Sequence, residues 1–196
     1  MIEELKKIEE MKNKFISFSE FILKENNNHL TKEVVFAGMI IKKTIDILDA
    51  SCDALKKYNV NVHISLLRLL CDNCLAIQSV KELSVETVMD MIQNNERVNN
   101  VMIDEEQNMS DGYLKKKVSM TYPGFDKVYK FACDSVHFSK QAMTSSFIQE
   151  KDGKYKPHFE VGNKEMKDVI FKNNNALIKV SKIILDMLIN VCYQKQ

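Results

Sequence analysis

Apolar residues return every three to four positions along most of this chain, the period of helices that bury one face. In residues 2–25, Ile2, Leu5, Ile8, Phe15 and Ile22 repeat in this way, with Phe18 one turn off and Lys and Glu between them. The spacing predicts a first amphipathic helix, broken by Asn26-Asn27-Asn28. Thr31 stands as N-cap of a second helix that runs to about Lys57. The third, about Val60 to Leu83, is nearly apolar all round through Leu66–Leu70, the mark of a helix surrounded by others. Ser84 is placed to cap a fourth, SVETVMDMIQNN, and Tyr113–Met120 has room for a further turn or two. Pro123 suits the first turn of a helix over 123–142, where its missing amide proton is not needed.

The period then changes. TSSFIQEKDGKYKPHFEVG carries strand-like pieces around Asp152-Gly153, a two-residue hairpin signal. The reading is a β-hairpin over Met143–Val161. Asn163 then caps a last helix to about Cys192, bent at Asn173-Asn174-Asn175 because asparagine is a weak helix former. No repeat and no linker divides the chain. The expected object is all-α: a single domain, residues 1–196, folded as a compact bundle of about five to seven helices with one projecting β-hairpin at about 143–161.

Composition supports helices over sheets. The 196 residues include 5 Gly and 2 Pro, too few for a turn-rich β fold. The net charge of +1 predicts no strong whole-molecule attraction to nucleic acid or anionic membrane. That charge is uneven. Residues 1–109 hold 13 basic and 18 acidic groups, net −5; residues 110–160 hold 9 and 6, net +3; residues 161–196 hold 6 and 3, net +3. The odd count of 5 cysteines and the charged opening MIEELKKIEEMKNK point to a reducing, cytoplasmic setting without a secretory leader. The apolar run Val34–Ile41 falls far below the ~18 residues of a membrane span, so no membrane partner is expected.

Two places could carry chemistry. In FACDSVHFSK, residues 131–140, Lys130, Asp134 and His137 are spaced four and three apart and share one helical face. A carboxylate one turn from an imidazole orients it and raises its pKa, as a general acid/base requires. The same spacing also serves a half-buried structural histidine. The second place is Arg68 in LLRLLCDNC. A guanidinium in so apolar a helix must be paired or must line a cleft, and Asp72 at i+4 is the nearest partner. If Arg68 meets Asp134 or His137, the set would hold a phosphate; otherwise an Arg–Asp bridge pins helix register. Cys71-x-x-Cys74 lacks a second ligand pair, His63 lies on another face, and no metal or cofactor is expected. His29 and His158 read as surface residues, and Lys115-Lys116-Lys117 as a solvated face.

The internal LLRLLCDN helix, paired with a later Y-x-x-x-x-x-x-x-H-x-S segment (Tyr129, His137, Ser139), resembles a group of bacterial all-helical proteins similar to the HEPN superfamily of nucleotide-binding domains and ribonucleases. The resemblance covers about residues 60–142. It implies a homodimer that cuts RNA without metal, as a toxin or phage-defence nuclease, or a non-catalytic module that binds a nucleotide or partner protein such as an antitoxin. Under the first reading His137 is the acid/base, Asp134 orients it, and Arg68 and Lys130 hold phosphate. Tyr129, Ser139, Lys140 and Asp72 complete the substrate site. Active families place an arginine four to six residues before the histidine. Here Phe131 and Ala132 stand six and five before His137, and Lys130 seven before.

Overall fold

The computed structural model describes residues 1–136, 147–149, 152–157 and 166–193. It is the expected all-α bundle. Among the described residues the α-helices are α1 (Ile2–Glu25), α2 (Lys32–Lys56), α3 (Val60–Glu82), α4 (Val85–Gln93), α5 (Asp111–Thr121), α6 (Phe125–Val136) and α7 (Lys167–Tyr193). A 3₁₀ turn, Val98–Asn100, lies between α4 and α5.

Capping sets the boundaries. The Thr31 hydroxyl accepts from the Val34 amide at 3.3 Å, and Ser84 accepts from Thr87 at 3.2 Å. Asn59 starts α3 by accepting from Val62 at 3.2 Å. The α1–α2 turn holds Asn27 and Asn28 at φ 51 and 58, left-handed values that asparagine tolerates better than most residues.

Helix α3 is the hub, packed against α2, α4, α5, α6 and α7. Leu67, Leu70, Cys71, Cys74 and Ile77 are fully buried within one hydrophobic core that takes residues from every α-helix. By length and hydropathy α3 alone among the described helices could cross a membrane, but 56% of its most apolar stretch is buried inside the bundle. Each fully buried Leu or Ile contributes about 1.5–3 kcal/mol of transfer free energy.

Helices α1 and α7 run parallel. The Asn174 amide donates to Glu4 Oε2 at 2.8 Å at one end, and the Phe21 and Tyr193 rings lie 5.8 Å apart at the other. Burial pushes the Glu4 carboxyl up, but the Lys7 and Asn174 hydrogen bonds outweigh it and hold its pKa below the ordinary value. Beside Asn174, His63 is fully buried. Burial pushes its pKa down to about 4, the Asn174 side chain offsetting only part of that. Across α2 and α3, the Asn73 amide donates to the Thr44 hydroxyl at 3.0 Å inside the core.

Several expectations are corrected. Ile2 is 86% exposed, because the first helical residue overhangs the core, and Met11 is buried in the stripe instead. Pro123 precedes α6 rather than opening it. With Gly124 at φ 87 and the Phe125 amide donating to the Tyr122 carbonyl at 3.1 Å, Pro123-Gly124 has the signature of a type II turn. On α6 the buried stripe is Phe125, Tyr129 and Ala132, while Val136 is 48% exposed. Helix α7 continues unbroken through Asn173–Asn175, because the Asn174 side chain bonds α1 instead of competing for its own backbone. Strand β1 (Phe147–Gln149) pairs antiparallel with β2 (Tyr155–Pro157), with Gln149 opposite Tyr155. With Gln149 opposite Tyr155, the number of residues between the described partners is odd, which a two-residue turn at Asp152-Gly153 does not fit in this register. Asn163 and the ends of the predicted hairpin lie outside the described residues.

Candidate functional site

Arg68 is the one arginine of α3, and its side chain keeps only 18% exposure. A guanidinium so placed must have its donors met. Its Nη1 pairs with Asp72 Oδ1, the expected i+4 partner. Its Nη2 donates to the Tyr129 hydroxyl at 2.6 Å and to Asp111 Oδ2 at 3.4 Å. Its Nε donates to Cys133 Sγ at 3.0 Å, and the guanidinium carbon lies 4.3 Å from the centre of the Tyr129 ring.

The partners are themselves held. Asp111 is the first residue of α5, after the N-cap Ser110, so its carboxylate sits at the positive end of that helix. Its Oδ2 accepts from the Tyr129 hydroxyl at 3.1 Å, and its Oδ1 from the Asn99 amide at 3.0 Å. Burial, with Asp111 adding to it and Arg68 opposing, pushes the Tyr129 phenol above its ordinary pKa. Tyr129 thus stays protonated at neutral pH and donates to Asp111. Lys115 Nζ lies 5.8 Å from the same ring. The cluster joins α3, α5, α6 and the 3₁₀ turn, with two carboxylates facing one guanidinium.

Of the sequence-predicted residues, this brings together Arg68, Asp72 and Tyr129. Lys130 and Asp134 form a separate pair on α6, 2.8 Å apart, with side chains 74% and 41% exposed. Arg68 meets α6 at Tyr129 and Cys133. His137, Ser139 and Lys140 lie outside the described residues, as does His158. Sequence reasoning missed Asp111, Cys133 and Asn99. Two signals pointed there: Asp111 directly follows a capping serine, and Tyr129 and Cys133 are spaced i, i+4 on one face.

A second polar group ties α3 to α5. Glu82 accepts from the Tyr113 hydroxyl at 2.8 Å and from Gln78 at 2.8 Å, and pairs with Lys117 at 3.4 Å. This involves the lysine run in packing as well as solvation. Burial pushes the Cys71 thiol up to about 12 and Cys74 well up, which disfavours the thiolate that metal ligation and redox chemistry use. Among the described residues no three His, Cys, Asp or Glu side chains converge to hold a metal ion.

No known family model, curated protein or solved structure matches this chain.

Proposed function

We propose that this chain is a non-catalytic helical module of HEPN-like architecture, acting by binding a nucleotide or a partner protein inside the cell. The observation that carries this reading is the commitment of Arg68. Its guanidinium is already met by Asp72, Asp111, Tyr129 and Cys133. A phosphate would have to displace one of these and then sit against two carboxylates. Each half-buried group left unpaired costs about 1–3 kcal/mol, and like-charge repulsion adds to it. A nuclease requires the opposite, a cation held ready for the transition-state phosphate. Arg68 is thus a pin that sets the register of α3, α5 and α6. The 5 cysteines are all free thiols, as a reducing compartment would leave them.

The test is an RNA-cleavage and growth assay in EDTA with wild type, His137→Ala and Arg68→Ala, each checked for folding by circular dichroism. The expected result is no cleavage by wild type and no growth effect. Metal-independent cleavage by wild type, lost in both folded variants, would overturn the reading in favour of the endoribonuclease.

A further inference from the structure

We infer that the groove between α1 and α7 is a binding site for phosphate groups. This extends the binding-module reading by naming a ligand class. It shares no residue with the Arg68 cluster and does not depend on it.

The groove follows from the parallel packing of the two helices. Lys7 and Lys14, two turns apart, line it from α1. Asn175, Lys179 and Lys182, spaced i, i+4, i+7, line it from α7. Met11 and Ile178 form its floor, and Glu10 is its single acidic lining residue. The cavity is about 350 Å³, in the range of small-ligand sites.

Charge makes the site selective. Four lysines against one glutamate give the lining a net charge of +3 on a chain whose total is +1. Lys7 is held by Glu4 at 2.6 Å. Among the described residues, Lys14, Lys179 and Lys182 have no ion-pair partner within 4.0 Å. Lys14, Lys179 and Lys182 line a cavity with an apolar floor, which focuses their field on whatever enters, and the Lys179 ammonium reaches the Gly124 turn. Asn175 is exposed and adds an amide donor. Lysine is a point charge without a fork, so it suits the several oxygens of a polyphosphate better than a planar carboxylate pair. The same phosphate chemistry comes from a free nucleotide or from a nucleic-acid backbone.

The experiment is isothermal titration of the full chain with inorganic triphosphate, ATP and a single-stranded RNA oligomer, at low and high salt. A poly-glutamate peptide serves as competitor class. The expected result is saturable triphosphate binding that weakens with salt. The Lys14→Glu/Lys179→Glu/Lys182→Glu variant should lose at least tenfold in affinity. A control reversing the exposed Lys24, Lys43 and Lys57 should lose less than threefold. Binding of ATP and triphosphate assigns a nucleotide; much tighter RNA binding assigns the backbone. No saturable binding of any phosphate probe, equal loss in the control, or poly-glutamate binding as tight as triphosphate would overturn the proposal. None of these readouts involves RNA cleavage, so the two proposals fail separately.

Discussion

The Arg68 cluster and the α1–α7 groove use cations in opposite ways. At Arg68 one guanidinium, mostly buried, faces two carboxylates, a phenol and a thiol. In the groove, four lysines stand with one glutamate, and three of them have no ion-pair partner among the described residues. Burial forces the first into saturation, because a desolvated charge without partners is too costly to keep. Exposure leaves the second free, because water satisfies each ammonium until an anion replaces it. A cation in an apolar helix is therefore poor evidence of a ligand site, and exposed cations gathered by packing are better evidence.

The largest effect is expected beneath α7, where His63 is buried with a pKa near 4 against an ordinary 6.5. The unfolded chain then binds the extra proton between these values, so stability is full above pH 6.5 and falls with acid towards pH 4. The slope is at most about 1.4 kcal/mol per pH unit, roughly 3 kcal/mol in all. Urea unfolding from pH 7 to 4.5 measures it; a flat profile would show that His63 keeps access to solvent. Phosphate titrations accordingly belong near pH 7, where α7 is firmly seated.

Arg68→Ala should cost about 2 kcal/mol, because Asp72 and Asp111 lose their cation but keep partial access to water. Chemical denaturation reads this, and an unchanged midpoint would free Arg68 for ligand work. Tyr129→Phe removes one hydroxyl from the same cluster and should cost about 1 kcal/mol. The smallest effect separates the two regions. The triple lysine reversal in the groove should move stability by less than about 0.5 kcal/mol, as exposed substitutions do, while weakening phosphate binding at least tenfold. A large loss of stability there would make these lysines structural.

Much of the architecture was legible because the cues are local. The caps Thr31 and Ser84, the all-round apolar α3 and the Asn26–Asn28 break act within a few residues of where they are read. The misreadings arose where a distant contact overrode a local preference. Asn173–Asn175 looked like a bend, but Asn174 reaches Glu4, 170 positions away. Asp111 went unread because it meets Arg68 and Tyr129 only through the packing of α5 against α3 and α6. Pro123 looked like a helix start, but Gly124 at positive φ makes it a turn.

By itself, then, the sequence determined that this protein is an all-α bundle centred on one helix and that Arg68 would need partners, since periodicity, capping and the cost of a buried charge are properties of short stretches. Only the tertiary structure decided who those partners are, and that Lys14, Lys179 and Lys182 share a groove. Those outcomes depend on which helices run side by side, and in which direction. That is set by the summed packing of the core and by long-range polar contacts such as Asn174 to Glu4, which no local pattern records.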